Sequence, residues 1–264
     1  LESIEAVRLS PGMYIGDANV DGAHHLLQEV VSNSIDEFLN GHADEININI
    51  KDNHVSVTDN GRGIPFGTTE QGKEALVEIA TSLHSGGKFG QSGYSVSGGL
   101  HGIGITAVNA LSQYFCIESV RDGKIATLEA KAGIITNYEV QENTKKLKDG
   151  TTIIFVIDKE IFTEKVKFDL SRVEKLIEQL SFLTPGLKYT VNKKVFMSKD
   201  GLSEMIEKLV VDPITSIVKV TGESEGFMVD VAFQFENRTT EKIYAYTNNI
   251  PNKDGGTHVT GFKS

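Results

Sequence analysis

The sequence predicts an α+β fold, and three observations carry that expectation. Apolar residues over 23–40 recur at helical spacing, and an alternating hairpin over 45–58 follows at once, so a strand pair has a helix face to pack against. The strand patterns after residue 110 come as consecutive hairpins, with Asp122-Gly123 as the plainest turn. The dinucleotide fingerprint and the Walker A pattern are both absent, which argues against a Rossmann sheet or a P-loop.

In chain order, Leu27, Val30, Val31, Ile35 and Phe38 form the stripe of the first helix, with Asp21 as its expected cap and Gly41 as its stop. Ile46, Ile48 and Ile50 line one face of a strand, Lys51-Asp52-Asn53 turns the chain, and Val55 and Val57 continue the hairpin. Ala75, Leu76, Ile79, Ala80 and Leu83 mark a second helix, and a third runs over about 103–113. Strands are expected over 114–120, 124–129, 134–140 and 152–157, then a helix over 169–183 stopped by Thr184-Pro185-Gly186. Beyond it 187–195 reads as a strand, 201–210 as a helix, and 214–220, 227–235 and 242–247 as strands. A soft domain boundary falls near residue 185.

Composition narrows the function classes. At 264 residues and 39% hydrophobic content the chain can bury a substantial core. It has neither an apolar run long enough to cross a bilayer nor a signal segment at its start, and it reads as intracellular. Its single Cys116, in an apolar strand, reads as a buried inert thiol. A formal net charge of −10 argues against a general grip on nucleic acid by this portion and puts any DNA contact elsewhere.

Four short patterns carry candidate chemistry. Glu29, Asn33 and Asp36 fall at i, i+4 and i+7, within about 60° of one another and opposite the apolar stripe. Such a row is either a solvated face or a carboxylate base beside an amide oxygen that can hold Mg²⁺. Asp59-Asn60-Gly61-Arg62-Gly63-Ile64-Pro65 is either an ordinary turn or a partly buried carboxylate that needs a donor, such as the amino group of a purine. Eight of the 26 glycines lie between His84 and Gly104. Gly98-Gly99-Leu100-His101-Gly102-Ile103-Gly104 meets a helix start, where unpaired N–H groups favour phosphate, and Lys88 adds a charge; the alternative is a surface loop. Lys148-Asp149-Gly150-Thr151-Thr152 leads into an apolar strand, where a Thr reflects β-propensity, a turn cap or a site hydroxyl.

Taken in order, these patterns resemble the nucleotide-binding boxes of the ATPase superfamily that joins gyrase, Hsp90, histidine kinases and MutL. Arg8 with Pro11-Gly12-Met13-Tyr14-Ile15-Gly16, His24-His25-Leu26, Leu83-His84-Ser85-Gly86-Gly87-Lys88-Phe89, and Asn248-Asn249-Ile250 with Gly255-Gly256-Thr257-His258 narrow it. That wording is similar to the ATPase (B) subunits of bacterial type IIA topoisomerases, most like the gyrase type, with the topoisomerase IV type second. The resemblance covers essentially the whole chain and is weakest over 131–147 and 188–225.

The resemblance implies a two-layer α/β sandwich over 1–185 that binds ATP, with a glycine-rich lid over 84–104, and the start of a transducer domain like ribosomal protein S5 over 186–264. By similarity Glu29 is the general base for the attacking water, and Asn33 binds the Mg²⁺ that bridges the phosphates. Asp59 accepts from the adenine amino group, directly or through a water that Thr151 helps to hold. Gly87, Lys88, Tyr94, Gly99, Leu100, His101, Gly102, Ile103, Gly104 and Ile105 form the phosphate lid, expected to be the most mobile segment without ligand. Arg62, Gly63, Ile64 and Pro65 flank the adenine, Glu37 pairs with Arg62, and Arg121 joins Ile64 and Pro65 at the mouth where aminocoumarin-type inhibitors bind in relatives.

The implied partners are a second copy on ATP binding, the topoisomerase A subunit and duplex DNA, with no membrane, in the cytoplasm. An arm before Leu1 and a lysine-bearing loop after Ser264 are expected to complete the site, so this chain alone is expected to bind ATP well, turn over slowly and stay mostly monomeric. Three departures stand out: Ser32 where these subunits commonly carry Asp, Phe38 where Ala is usual, and a short Lys-rich stretch over 130–148. The alternatives are an ATP-driven clamp of the same superfamily without strand passage, a sensor kinase, for which Leu1–Gly16 leaves no room for a phosphoacceptor helix, and a non-enzymatic binding module.

Overall fold

The computed structural model describes residues 3–69, 72–83, 104–163, 165–252 and 254–264. Three helices open it, α1 (Ser3–Leu9), α2 (Gly12–Ile15) and α3 (Val20–Leu39), followed by β1 (Glu45–Lys51) and β2 (His54–Asp59). Next come α4 (Ala75–Thr81), α5 (Gly104–Ala110), β3 (Ser112–Arg121), β4 (Lys124–Lys131), β5 (Ile134–Glu142) and β6 (Gly150–Ile157). The remainder is α6 (Leu170–Leu183), β7 (Lys188–Val191), β8 (Lys194–Phe196), α7 (Leu202–Leu209), β9 (Val218–Ser224), β10 (Phe227–Phe233), β11 (Tyr246–Thr247), β12 (Ile250–Pro251) and α8 (Thr257–Lys263).

One eight-stranded sheet runs in the order β5-β4-β3-β6-β2-β1-β7-β8. Its central pairs are antiparallel, and β1 with β7 is parallel. The fold is α+β, as the hairpins predict. Period-two alternation puts Ile46, Ile48, Val55, Val57, Ile153 and Phe155 on the buried face, against Leu27, Val30, Val31 and Ile35 of α3. Each such fully buried side chain contributes about 1.5–3 kcal/mol.

Several local expectations need correction. Asn19, not Asp21, caps α3, its Oδ1 accepting from the backbone N–H groups of Asp21 and Gly22. Both residue types cap well, and the one outside the helix wins because only its side chain can reach those orphan donors. The strand expected over 187–195 is two strands, because Asn192 adopts φ 53° and turns the chain between β7 and β8. The third helix stops at Ala110, and Ser112 already belongs to β3, with its hydroxyl donating to Val108 O. Of the strand expected over 242–247 only Tyr246–Thr247 pairs.

The stems that border residues 84–103 are pinned together. Thr106 Oγ1 lies 3.2 Å from Ile79 O and 3.1 Å from Ser82 O, and the fully buried Asn109 donates from Nδ2 to Ala80 O at 2.9 Å. The C-terminal end of α4 and the body of α5 are therefore held at a fixed separation. Cys116 is a buried free thiol, and burial pushes it above the usual thiol range, as an inert cysteine requires.

The chain divides into two compact units, 1–174 with 188–195, and 175–187 with 196–264. The first holds the large sheet up to the start of β8 and helices α1 to α5. In the second, β9 and β10 form a hairpin across Glu225-Gly226, Phe233 meets Phe235 and Phe262, and Gln179 donates to the Tyr246 hydroxyl. Among the described residues no helix is long and apolar enough to cross a membrane.

Candidate functional site

The polar row on α3 is solvated only in part. Asp36 and Glu37 are buried at 8% and 7% exposure, the Glu29 side chain keeps 28%, and Asn33 is exposed. Glu29 and Glu37 meet different partners, His25 and Arg62. From Glu29 to Glu37 the axis advances about 12 Å, enough to serve a ligand with chemically different ends.

At the first end, Glu29 Oε1 lies 3.1 Å from Nε2 of His25, one turn before it. The same carboxylate faces the start of α5, where a Cβ built on Gly104 would stand 2.4 Å from Glu29 Oε2. A larger residue here would have to push the end of the Glu29 side chain aside. Ile105 is half-buried beside it in sequence. Among the described residues no group of three His, Cys, Asp or Glu side chains could hold a metal.

In the middle, Asp59 ends β2 at 7% exposure. Its Oδ2 accepts from Ser34 Oγ of α3 at 2.8 Å, and its Oδ1 accepts from Gly61 N at 3.0 Å. In the sheet register Asp59 pairs with Thr151 at the entrance of β6, itself 6% exposed. Burial pushes the Asp59 carboxyl above its ordinary 3.8, reinforced by the nearby charge of Glu37 and opposed by the hydrogen bonds from Gly61, Ser34 and Thr151.

At the far end, Glu37 grips Arg62 from two sides. Its Oε2 accepts from Arg62 N at 2.9 Å and Nε at 3.2 Å, while Oε1 accepts from Nη2 at 2.9 Å. This forked geometry is specific to guanidinium. The turn is anchored on β3, with Ser119 Oγ donating to Ile64 O at 2.7 Å and Arg121 Nη1 donating to Gly63 O at 3.1 Å. Pro65 is half-buried next to them.

Gly63 sits at φ 76°, and a Cβ there would stand 2.4 Å from Val120 O. Gly63→Ala is expected to cost at least about 2 kcal/mol, since positive φ and a backbone clash both oppose it. Urea unfolding checks this, and an unchanged midpoint would contradict the packing of this turn on β3.

The candidate residues Glu29, Gly104 and Ile105 thus gather at one end, Asp59 and Thr151 at the centre, and Glu37, Arg62, Gly63, Ile64, Pro65 and Arg121 at the other. Asn33 lies on α3 between Glu29 and Ser34. Gly87, Lys88, Tyr94, Gly99, Leu100, His101, Gly102 and Ile103 lie outside the described residues. Two contacts escape a reading by motif. His25 is read only within His24-His25-Leu26, and its approach to Glu29 follows from their i, i+4 spacing, while Ser34 carries no signal, because its partner Asp59 is far along the chain.

This arrangement has known counterparts. The family model for histidine kinase-, DNA gyrase B-, and HSP90-like ATPases matches residues 18–161, the stretch from the cap of α3 to just beyond β6. The DNA gyrase B model matches residues 201–264. The B subunit of DNA topoisomerase 4 from Staphylococcus epidermidis is 41% identical over 278 residues, which cover 100% of the chain and 41% of that protein. Its Staphylococcus aureus counterpart is 40% identical over 275 residues, covering 100% of the chain and 42% of that protein. The chain therefore spans about two fifths of the length of these curated relatives. The crystal structure of the 43K ATPase domain of Thermus thermophilus gyrase B in complex with an aminocoumarin matches with a TM-score of 0.85 at 33% identity, over 100% of the chain and 70% of that domain. With the acid on α3, the buried aspartate at the end of β2 and the family model across both, the chain belongs to the histidine kinase-, DNA gyrase B-, and HSP90-like ATPases.

Proposed function

We propose that this chain is the ATP-binding and ATP-hydrolysing portion of a type IIA topoisomerase subunit of the gyrase B kind, and that ATP lies along α3 with adenine at Asp59 and its terminal phosphate at Glu29. The observation that carries the reading is Asp59, a buried carboxylate held by Ser34 and Gly61 and paired with Thr151. A buried acceptor of this kind is matched by an amino group and rejects a carbonyl in its place. Adenine offers the amino group.

Glu29 acts as the general base on the attacking water, oriented by His25. Asn33 offers one amide oxygen, which suits Mg²⁺, a cation that completes its shell with phosphate oxygens and water. When bound, Mg²⁺ neutralises charge on the phosphates. Arg62, Gly63, Ile64 and Pro65 flank the base, and Glu37 holds Arg62 there; Arg121 joins Glu37 at an inhibitor-binding mouth. Gly104 and Ile105 begin the helix that faces the phosphates, and Gly87, Lys88, Tyr94 and Gly99 to Ile103 are proposed to cover them.

In the whole protein, ATP is proposed to close two copies into a clamp that works with an A subunit on duplex DNA, in the cytoplasm. Residues 1–185 are the proposed ATP-binding domain, and 186–264 the beginning of the transducer. The topoisomerase IV form of this reading is favoured by the 41% identity to relatives of that name; a supercoiling assay on the assembled enzyme separates the two.

Calorimetric titration with a non-hydrolysable ATP analogue tests the core of the proposal. One site per chain is expected, weakened at least about fivefold by removing Mg²⁺, and insensitive to Mg²⁺ in Asn33→Ala. A titration without saturable heat would overturn the assignment.

A further inference from the structure

The end of the sheet opposite to Asp59 carries an open cleft of about 970 Å³ that the ATPase reading does not use. It lies where β2 begins and β6 ends, with His54 on its wall, about 17 Å along β2 from Asp59 at roughly 3.3 Å per residue. Four lysines line it, Lys51, Lys159, Lys167 and Lys193, with Asp52 as the one carboxylate of the lining. The balance of four ammonium groups against one carboxylate is a local +3, on a chain whose net charge is −10.

The lysines come from three separate segments, and side-chain amides tie those segments together. Asn53, in the β1–β2 turn, donates from Nδ2 to Val166 O at 2.9 Å, which holds the segment carrying Lys159 and Lys167. Asn192 accepts at Oδ1 from Ile50 N at 2.8 Å and donates its own N–H to Ile48 O at 2.7 Å, which fixes the turn carrying Lys193 against β1. The ammonium groups are exposed and uncommitted. Lys188, Lys194, Lys208 and Lys263 are the lysines in ion pairs among the described residues, and none of the four is among them. Folding that collects like charges around one concavity without neutralising them leaves an electrostatic cost that a polyanion relieves.

We infer that this cleft is a second binding site, for the phosphodiester backbone of duplex DNA, separate from the nucleotide site. Lysine point charges in an open cleft neutralise phosphates without reading bases. The choice of DNA over other polyanions rests on the topoisomerase reading; the existence of an anion site does not.

The test is the salt dependence of binding to a fluorescent DNA duplex. In the variant Lys51→Gln, Lys159→Gln, Lys167→Gln, Lys193→Gln, the slope of log K against log salt is expected to flatten by about 3.6, with affinity at least about tenfold weaker near physiological salt. A control variant, Lys131→Gln, Lys145→Gln, Lys146→Gln, Lys148→Gln, changes the net charge equally at exposed positions outside the cleft and is expected to bind nearly as the wild type does. Equal losses in both variants overturn the site, as does an unchanged slope in the first. Binding of inorganic tripolyphosphate or polyglutamate at this cleft, with no binding of duplex, overturns the assignment to DNA. Titration of the same variants with the ATP analogue reports folding and the nucleotide site separately.

Discussion

Glu29→Ala is expected to lower ATP hydrolysis by the whole subunit about 10²–10⁴-fold while nucleotide affinity changes by less than about threefold. The carboxylate stands 3.1 Å from His25 Nε2 and against the Gly104 backbone, at the end of the site where the terminal phosphate is proposed to lie. A group that acts only on the attacking water is absent from ground-state binding and present in the transition state, so its loss falls on kcat. Its side chain keeps 28% exposure, so truncation leaves no buried cavity and the fold should survive. Glu29→Gln keeps the shape and removes the base. Steady-state phosphate release on both variants is the check, and turnover at the wild-type rate in either would remove Glu29 from the mechanism.

Asp59→Asn is expected to weaken ATP binding about 10–100-fold, the range for a buried hydrogen bond to a charged acceptor. Its effect on stability runs the other way. Burial raises the Asp59 carboxyl above 3.8, so between 3.8 and its raised value the folded chain holds a proton that the unfolded chain has lost. Stability from this group therefore falls as pH rises through that window, and the penalty is fully present above it. Asparagine carries no such penalty and still offers an oxygen to Ser34 or Gly61. Urea unfolding at neutral pH should show the variant at least as stable as the wild type, with a flatter profile on acidification. Nucleotide binding by the wild type should weaken as pH falls through the same window, because the protonated carboxyl no longer accepts at both oxygens.

The parts of this site legible in the sequence are those that neighbouring residues determine. Helical spacing alone sets Glu29 and Asn33 on one face, and a polar residue at the end of an apolar strand marks Asp59. The pairing of Asp59 with Thr151 depends on the register of β2 with β6, across most of a hundred residues, and no local pattern reports it. Ser34 is silent for the same reason. A serine inside a helix has several uses, and only the tertiary approach of β2 selects a hydrogen bond to Asp59. The lysine cleft is hidden twice, by its origin in three segments and by a negative total charge. Composition reads the sum of the charges; the fold decides where they collect.

The assignment of adenine to Asp59 is tested most directly by a two-by-two titration, ATP and inosine triphosphate against wild type and Asp59→Asn. The two nucleotides differ in an amino group replaced by a carbonyl, at the position that Asp59 is proposed to recognise. The wild type is expected to prefer ATP at least about tenfold, and Asp59→Asn, whose amide can donate to the carbonyl, to lose or invert that preference. The same preference for ATP in both proteins would contradict the account.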